Sequence, residues 1–492
     1  MNVLLIYPTF PDTFWSFKHA LRFVRKQASS PPLGLLTVAA MLPPTWGKRL
    51  VDENVTRLAD EDLTWADYAF IGGMTVQADS ARQAIARCKS AGLKVVAGGP
   101  LFTIDHEQFE TVDHFVLKEA ELTLPRFLTD LEQGRALHLY TTSEFADIKQ
   151  TPVPLWELAE LHQYAAMSVQ YSRGCPYNCD FCNVTALLGH TPRTKRPGQI
   201  IAELDGLYEL GWRSDVFFVD DNLIGNKRVL KAELLPALIE WRKGKTGIAF
   251  HTEASINLVD DEQLMRLMVE AGFNKVFIGI ETPDEESLAE CSKKQNLNRD
   301  LVDDVCRLQR AGLQVQGGFI VGFDSDTPSI FQRQIDFIQR SGIVTAMVGL
   351  LQAPPGTQLY ERLKQEGRLL DRLSGNNVDG TTNFIPAMDL ETLREGYRNI
   401  MRHIYSPEHY YQRVKTFLRE YRLPKVRTPL TVEDIRALFR SIYHLGIVDK
   451  GRRYYWRLFL WTLLRRPALF PLAITFSIYG FHFRKVCDLL QA

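Results

Sequence analysis

The sequence predicts an α/β protein: a flavodoxin/Rossmann-like parallel sheet, then a full or partial β/α barrel, then a helical C-terminal extension. Three observations predict this order. Short apolar runs alternate with helical stretches over residues 1–145, the same alternation resumes near residue 165, and the composition becomes aromatic and basic towards the end. A chain of 492 residues has room for two to four domains. We divide it into 1–145, 160–370 and 371–492.

The first domain is predicted to contain five strands separated by helices. Ligands of such parallel sheets bind beyond the carboxyl ends of the strands, where glycine lets the backbone approach a ligand closely. The candidate ligand-binding residues there are Gly72, Thr75, Gly98, Gly99 and Pro100. No GxGxxG follows the first strand, so a dinucleotide is not favoured. The predicted strands are Val3–Tyr7, Arg49–Asp52, Tyr68–Gly72, Lys94–Ala97 and His114–Leu117, with helical stretches such as Ser80–Ala91 and Leu122–Glu132. A flavodoxin-like domain without a ligand remains the alternative.

The second domain follows a linker, roughly Tyr140–Leu158, that contains Pro152 and Pro154. Repeated β/α units close into a full or partial barrel, and active groups lie at the carboxyl ends of its strands. The predicted strands are Met167–Tyr171, Val216–Val219, Ile248–Thr252, Val276–Ile280, Val315–Val321 and Thr345–Leu350.

The first of these strands leads into the strongest motif of the chain. Cys175, Cys179 and Cys182 place three thiols within eight residues. Three thiolates can hold three corners of a cubic iron–sulfur cluster and leave the fourth iron open for chemistry. The alternative is structural zinc, which needs four ligands in paired spacings, and no second pair follows. His190 stands alone in a basic loop, and the other cysteines are scattered.

The CxxxCxxC spacing resembles the hallmark of the radical S-adenosylmethionine (SAM) superfamily, with Phe181 as the aromatic residue before the last cysteine. The resemblance implies a 4Fe-4S cluster on the three cysteines. It also implies that SAM chelates the free iron and is cleaved on reduction to methionine and a 5′-deoxyadenosyl radical.

The loops after the later barrel strands are polar where SAM contacts are needed. Carboxylates could bind the ammonium of SAM through charge-assisted hydrogen bonds, although an acidic residue in such a turn is equally often a helix N-cap. The candidates for the ammonium are Asp220, Asp221 and Asn222 after the second strand. Glu253 and Ser255 after the third strand and Glu281 after the fourth could hold the ribose hydroxyls or the sulfonium side of SAM. Gly318, Ile320 and Gly322 resemble the superfamily's GxIxG segment, which lies against adenine. The basic run Arg193–Arg196 is expected to be a solvated face or an anion contact.

The first domain resembles the cobalamin-binding domain that precedes one large class of radical SAM enzymes. The matching segments are Pro31–Leu35, Val51–Asn54, Gly98–Pro100 and Lys118–Glu121. In cobalamin domains with a DxHxxG motif, a histidine binds cobalt. Here Asn54 occupies the histidine position and Arg57 the glycine position. Cobalamin, as implied by the resemblance, would therefore lack that histidine ligand.

The last stretch, Arg452–Lys485, interleaves aromatic and basic residues and contains Pro467 and Pro471. It is expected either to pack on the barrel as a helix pair or to lie in a membrane interface. The apolar run Pro467–Phe483 is short and proline-broken for a membrane span. The whole chain, tail included, resembles a cobalamin-binding radical SAM subfamily that contains the hopanoid 2-methylases.

Composition and charge restrict the partners and the cellular compartment that we expect for the protein. The formal net charge is zero, so no global field favours nucleic acid. The N-terminus lacks the features of a signal peptide, and no run of twenty uncharged apolar residues occurs. We expect a cytoplasmic enzyme, with peripheral contact to the inner face of the membrane through the tail as an open alternative.

The predicted function is that of a cobalamin-dependent radical SAM C-methyltransferase acting on an unactivated carbon, with a hopanoid or related lipid as the sharpest substrate. A small-molecule substrate and an electron donor such as a flavodoxin or ferredoxin complete the expected partners. Two alternatives stay open. One is a radical SAM enzyme that catalyses a non-methylating rearrangement or cyclisation. The other is a non-enzymatic iron–sulfur electron carrier or cobalamin sensor.

Overall fold

The first domain is a parallel six-stranded sheet covered by helices. The computed structural model describes residues 1–370, 373–376, 378–424 and 430–489. The strands are β1 (Asn2–Tyr7), β2 (Gly47–Asp52), β3 (Tyr68–Gly72), β4 (Lys94–Gly98), β5 (His114–Val116) and β6 (Leu139–Tyr140). The helices are α1 (Lys18–Leu21), α2 (Leu33–Met41), α3 (Asp60–Trp65), α4 (Ala78–Ser90), α5 (Pro100–Asp105) and α6 (Ala120–Glu132).

The strand order β2-β1-β3-β4-β5-β6 is that of a flavodoxin-like sheet, which confirms the predicted fold class of this domain. All five predicted strands are present; the apolar runs of β1, β3, β4 and β5 are buried on both faces of the sheet, and the edge strand β2 is only partly buried. The sixth strand was not predicted. Leu139 and Tyr140 pair with Phe115 and Val116 in parallel, and a strand of two residues is too short to show a sequence pattern.

The second domain is built on six parallel strands. The polypeptide folds as β7 (Ala166–Val169), β8 (Ser172–Arg173), α7 (Val184–Leu188), β9 (Arg193–Thr194), α8 (Pro197–Glu209), β10 (Asp215–Phe218), α9 (Lys227–Val229), α10 (Leu235–Trp241), β11 (Ala249–Ala254), α11 (Glu262–Ala271), β12 (Phe273–Glu281), α12 (Glu285–Glu290), α13 (Leu301–Ala311), β13 (Gln314–Val321), α14 (Ser329–Ser341), β14 (Ala346–Leu350) and α15 (Gln358–Gln365).

This sheet is a partial barrel rather than a closed one. The strand order is β7-β10-β11-β12-β13-β14, and the described strands at its two edges do not pair with each other. Side chains alternate across the strands: Val276 and Ile278 are fully buried under the outer helices, and Phe277 between them faces the concave side. All six predicted barrel strands are present, with bounds shifted by a few residues.

The concave side of the partial barrel is filled by the segment between β1 and α2. The Trp15 indole lies 5.6 Å from the Phe277 ring, centroid to centroid. Its Nε1 lies 2.9 Å from the sulfur of Met347 on β14. Phe14 stacks on Phe483 near the end of the chain, with centroids 4.3 Å apart. Residues from both ends of the chain therefore plug the barrel.

The described residues of the C-terminal part form five helices, α16 (Leu390–Tyr405), α17 (Pro407–Glu420), α18 (Val432–Ser441), α19 (Arg452–Arg465) and α20 (Phe470–Leu489), with a π-helical segment at Ile442–Val448. Pro471 lies in the first turn of α20, where proline costs no intrahelical hydrogen bond. The helix is therefore not broken there, and it buries Phe476 and Phe483 against the rest of the protein. None of the described helices is long and apolar enough to cross a membrane. The predicted boundary at 371 lies outside the described residues, and the domain limits stay predictions.

Candidate active site

The three cysteines lie on one loop at the carboxyl end of β7. Gly174 turns the chain into this loop with φ +94°, a conformation that L-residues with side chains rarely adopt. A Cβ atom there would lie 2.8 Å from the carbonyl oxygens of Gly189 and Thr191. The loop is tied further by Asp180, whose N–H donates to the Cys291 carbonyl oxygen at 3.2 Å. All three thiols are half-buried. The backbone therefore fixes the cysteine loop before any cofactor binds.

A chain of polar side chains runs from Cys175 and returns to the same loop. Asn222 Nδ2 lies 3.9 Å from Cys175 Sγ and 3.3 Å from Ser255 Oγ. Ser255 Oγ donates to Asn257 Oδ1 at 2.7 Å, and Asn257 Nδ2 donates to the Tyr177 hydroxyl at 2.7 Å. The predicted site residues Asn222 and Ser255 thus hold the cysteine loop and the next two strand ends together. Asn257 and Tyr177 were not predicted, since an Asn or Tyr in a loop carries no motif signal.

The remaining two cysteines border an open cleft. Cys179 and Cys182 line it with His190 and Gln358, among other residues. Gln295 Nε2 lies 3.9 Å from Cys179 Sγ. Among the described residues no three His, Cys, Asp or Glu side chains are arranged to hold a single metal ion. Two thiols that line a cleft, with the third on the same eight-residue loop, fit a cluster that offers one iron to each sulfur.

Phe181, the aromatic residue of the motif, points away from the thiols. Its ring meets Phe323 edge-on, with centroids 6.3 Å apart. Phe323 directly follows Gly322 at the end of β13 and belongs to a small apolar cluster with Leu359. The motif phenylalanine therefore packs the cysteine loop onto the β13 end of the barrel.

The carboxylate of Asp220 is hydrogen-bonded by groups of the protein itself. Its carboxylate accepts hydrogen bonds from the backbone N–H groups of Tyr171 and Ser172 and from the Ser172 hydroxyl. It is fully buried. Burial raises its pKa to about 7 despite these hydrogen bonds. Asp220 thus anchors the strand that enters the cysteine loop, and its oxygens are occupied within the chain.

Asp221 and Glu253 have different surroundings. No donor side chain among the described residues bonds either carboxylate, although both lie at the ends of adjacent strands at the barrel mouth. Burial, with Asp221 and Asp220 as neighbours, raises the pKa of Glu253 to about 8. Two unpaired carboxylates close together favour a cation between them. These two residues are the ones left available for an ammonium group.

Glu281 is paired within the chain. Its Oε1 accepts from Lys293 Nζ at 2.7 Å, and its backbone adopts φ +63° at an irregularity in the β12–β13 register. A Cβ at Gly279 would lie 2.3 Å from Glu281 Oε1, so the glycine makes room for the pair. Burial raises the pKa of Cys179, and the Lys293 ammonium opposes that shift. Lys293, which was not predicted, therefore places a positive charge beside the cysteine loop.

The GxIxG segment lies at the end of β13, as predicted, but its glycines have neighbours of their own. A Cβ at Gly318 would lie 2.7 Å from the Phe277 ring, and one at Gly322, at φ +105°, would lie 3.1 Å from Leu393. Ile320 between them is partly exposed and borders the apolar cluster of Phe323. The small residues therefore accommodate protein side chains on this strand, and Ile320 is the member left accessible.

The loops of the first domain gather at one edge of its sheet. A Cβ at Gly98 would lie 2.5 Å from the Val116 carbonyl oxygen, and Gly99 adopts φ +87° before Pro100 begins α5. Gly72 packs against Leu35, and a Cβ at Gly375 would lie 3.0 Å from Thr75 Cβ. Gly375 lies in the segment after α15, so this segment reaches the carboxyl edge of the first sheet.

Asn54, at the position of the missing histidine, fastens a loop. Its Oδ1 accepts from the Phe10 N–H at 2.7 Å, and its Nδ2 donates to Asp52 Oδ1 at 2.8 Å. Asp52 also accepts from the Tyr164 hydroxyl at 2.9 Å. The Asn54 amide therefore holds the start of the segment between β1 and α2, and this segment fills the concave side of the barrel. This side chain is thus engaged by protein groups on both sides.

The two domains are joined by buried ion pairs. Arg173 binds Glu119 and Glu121, each at 2.9 Å, and Arg193 binds Glu119 at 2.9 Å. Lys195 pairs with buried Glu203 at 2.5 Å. The prediction of a solvated or anion-binding basic run is therefore wrong for Arg193 and Lys195. Glu119 follows β5 directly, so the carboxyl edge of the first sheet is fixed to the strands around the cysteine loop.

Two family models match the chain. The radical SAM superfamily model matches residues 169–338, which include the cysteine loop and most of the barrel. A domain of unknown function, DUF4070, matches residues 357–492. Together with the three thiols at the barrel mouth, the first match defines this protein as a radical SAM enzyme.

Whole-chain relatives make the assignment narrower. An uncharacterized methyltransferase of Synechocystis sp. is 42% identical over 100% of this chain and 93% of the relative. Hopanoid C-2 methylase of Rhodopseudomonas palustris is 32% identical over 94% of this chain and 90% of the relative. The chain belongs to the cobalamin-dependent radical SAM family, and both of these relatives are named methyltransferases.

A solved structure shares the complete fold. The radical SAM methyltransferase TsrM from Kitasatospora setae, with cobalamin and a 4Fe-4S cluster bound, matches with a TM-score of 0.63 and 13% identity, covering 100% of both chains. The cofactors of the family are a 4Fe-4S cluster, SAM and cobalamin. The residues described above fit them: three thiols on one loop beside a cleft, two carboxylates without a donor side chain among the described residues, and glycine loops at the facing sheet edge.

Proposed function

We propose that this enzyme transfers a methyl group to an unactivated carbon of a hopanoid or related polycyclic lipid. One observation carries the proposal: the carboxyl edges of the two sheets face each other across the Arg173 and Arg193 ion pairs. Ligands of parallel sheets and barrels bind at these edges. A cobalamin on the first sheet and SAM on the second would therefore be opposed.

Each residue set has a proposed task. Cys175, Cys179 and Cys182 hold the cluster, and Asp221 and Glu253 bind the ammonium of SAM. Ser255 and Asn222 keep the strand ends in register with the cysteine loop. Gly72, Thr75, Gly98, Gly99 and Pro100 let the cobalamin approach the backbone. When bound, these groups supply a hydrogen-abstracting 5′-deoxyadenosyl radical and a transferable methyl group.

The role of the barrel plug follows from the same chemistry. Trp15 closes the concave side with Phe277 and Met347. A radical formed at the mouth is thereby kept from water and from the far end of the barrel. The substrate must then enter between the two sheet edges, where cluster, SAM and cobalamin would converge.

The substrate and partners rest on the full-length likeness to hopanoid C-2 methylase, which includes the C-terminal helices. A polycyclic lipid lacks activated carbons, so its methylation requires hydrogen abstraction. We further propose a flavodoxin or ferredoxin as electron donor, and a cytoplasmic enzyme that works against the inner face of the membrane.

Anaerobic reconstitution with iron, sulfide and cobalamin tests the proposal. The holoenzyme is given methyl-deuterated SAM, a reductant and a detergent-solubilised hopanoid, and the lipid is analysed by mass spectrometry. We expect a lipid that has gained a deuterated methyl group, together with 5′-deoxyadenosine. Label-free product with 5′-deoxyadenosine would instead indicate a rearrangement, and absence of 5′-deoxyadenosine would indicate an electron carrier or sensor.

A further inference from the structure

The C-terminal helices carry a row of large apolar side chains that face solvent. Ile435, Phe439, Tyr443 and Ile447 follow each other at intervals of four residues along α18 and the π-helical segment. Phe439 is 67% exposed and Ile447 is 56% exposed. Residues four apart lie on one face of a helix, so these side chains form a continuous stripe. Soluble proteins rarely leave such a patch uncovered without a partner.

Helix α19 adds a second exposed line beside the first. Leu460 and Leu464 face solvent, the latter at 78% exposure, and Arg453 and Arg457 precede them on the same side of the helix. Trp456 Nε1 donates to the Gly446 carbonyl oxygen at 2.9 Å, which fixes α19 against the π-helical segment. The two exposed lines therefore belong to one rigid surface.

The inward side of α18 is held firmly, so the outward stripe is not a helix that has failed to pack. Ser441 and the Tyr455 hydroxyl are 2.9 Å apart, and Ala437 and Leu445 are buried. Arg440 donates to the Phe23 carbonyl oxygen in the first domain. The stripe stays exposed while the opposite face of the same helix is fully used.

The charge of this region differs from that of the whole chain. Residues 430–489 contain ten Lys and Arg against four Asp and Glu, while the chain as a whole is neutral. The excess is concentrated beside the apolar lines, in Lys450, Arg452, Arg453 and Arg457. A basic margin around an apolar stripe complements a surface of anionic headgroups over acyl chains.

We propose that the face formed by α18, the π-helical segment and α19 docks in the interface of an anionic lipid bilayer. This inference rests on the proposed function, since a polycyclic lipid substrate resides in such a bilayer. The apolar stripe inserts among the headgroups and acyl chains, and the arginines bind the phosphates. The helices lie in the membrane plane, because no described helix is long and apolar enough to span it.

Vesicle sedimentation with the reconstituted holoenzyme tests the docking face. Vesicles of phosphatidylglycerol and phosphatidylcholine in equal amounts are compared with vesicles of phosphatidylcholine alone. We expect binding to the anionic vesicles that weakens with salt. Phe439→Ser combined with Leu464→Ser should weaken it at least about tenfold, because two exposed apolar side chains are lost. Arg453→Glu combined with Arg457→Glu should weaken it about tenfold.

Leu210→Ser is the matched control, since Leu210 is an exposed leucine on the barrel. It should bind vesicles like the wild type, and all variants should form 5′-deoxyadenosine at wild-type rates without vesicles. Equal binding by all variants, equal binding to both vesicles, or a stripe that instead joins two copies of the chain in solution would overturn the proposal. Deuterium transfer to detergent-solubilised hopanoid without vesicle binding would contradict the membrane-docking proposal and leave the proposed function intact. Vesicle binding without transfer of the deuterated methyl group would contradict the proposed substrate and leave the membrane-docking proposal intact.

Discussion

Carboxylates occupy both the domain junction and the barrel mouth, and the two sets differ in their partners. Glu119 and Glu121 at the junction are bound by Arg173, with Arg193 sharing Glu119. Although burial alone would raise it, Arg173 holds the pKa of Glu121 below the usual value. At the mouth, burial and neighbouring acids raise the pKa of Glu253 to about 8.

The comparison distinguishes carboxylates that stabilise the fold from carboxylates that are available to bind a cofactor. A buried carboxylate with its cation in place is already satisfied and stabilises the fold. A carboxylate such as Glu253, whose pKa is raised and which has no cation beside it among the described residues, gains from a cationic ligand. Substitutions at the junction should therefore change stability, and substitutions at the mouth should change cofactor binding and turnover.

The largest expected effect is at the mouth. Cys179→Ala removes one of three cluster ligands, so 5′-deoxyadenosine formation should fall to background, a loss of about a thousandfold or more. The unfolding free energy of the apo-protein should change by less than about 1 kcal/mol, because the thiol is half-buried. Cys306→Ala, a half-buried cysteine on α13, is the control. Turnover by Cys179→Ala at even a tenth of the wild-type rate contradicts the cluster assignment.

The next effect is at the junction. Arg173→Met leaves Glu119 and Glu121 without this cation, and the unfolding free energy should fall by about 3–5 kcal/mol in urea titrations. The depressed pKa of Glu121 contributes stability at neutral pH that is lost as pH falls through the folded-state pKa, so the difference should shrink in acid. Arg135→Met removes an exposed pair with Asp130 and should cost little. Equal unfolding free energies of Arg173→Met and Arg135→Met would show that the ion pairs of Arg173 do not stabilise the domain junction.

A third prediction concerns Glu253. Glu253→Gln should weaken SAM binding about ten- to hundredfold by equilibrium dialysis, since a charge-assisted contact is lost. In the wild type, SAM affinity should rise with pH up to about 8, because the ammonium needs the ionised carboxylate. The raised pKa also means that the fold loses stability as pH rises, so the apo-variant should be more stable by about 1 kcal/mol above pH 8.

Glu240→Gln changes an exposed glutamate on α10 and provides the comparison for both measurements. A Glu253→Gln variant that binds SAM as tightly as Glu240→Gln, at every pH, would place the ammonium elsewhere.

The smallest effect concerns Lys293, a cation beside the cysteine loop that already has a partner in Glu281. Lys293→Gln removes positive charge beside the cluster, which should lower its midpoint potential by about 50–100 mV in an EPR-monitored titration. Lys294→Gln, at the adjacent exposed position, should leave the potential unchanged. A shift of the same size in both variants would show that the charge of Lys293 has no special position.

Much of the fold could be predicted from the sequence, because parallel strands buried on both faces appear as continuous apolar runs. Eleven predicted strands are present, and in the part of the chain that the structure describes only the two-residue β6 and the short β8 and β9 were not predicted. The cysteine loop was also predictable, since three thiols at this spacing have few other uses. The position of the tail, on the barrel or in a membrane interface, was left open by the sequence; the structure buries α20 and leaves one face of α18 exposed.

The sequence could not predict that neighbouring residues of the same type make different contacts. Asp220 and Asp221 are adjacent and identical in type, yet Asp220 binds the backbone of Tyr171 and Ser172 and Asp221 does not. Lys293 and Arg173 act through partners 12 and more than 50 residues away. Such pairs depend on which strand ends meet, and local sequence does not contain that information.

The meeting of Phe14 with Phe483 has a consequence for biosynthesis. His482 Nε2 lies 2.9 Å from the Phe14 carbonyl oxygen, so Phe14, which is translated early, meets this neighbour 468 positions later. Until then the rings of Phe14 and Tyr405 lack the Phe483 side chain that packs against both of them. Maturation thus has to wait for translation of α20, and we expect chaperone dependence and aggregation to follow any premature stop upstream of it.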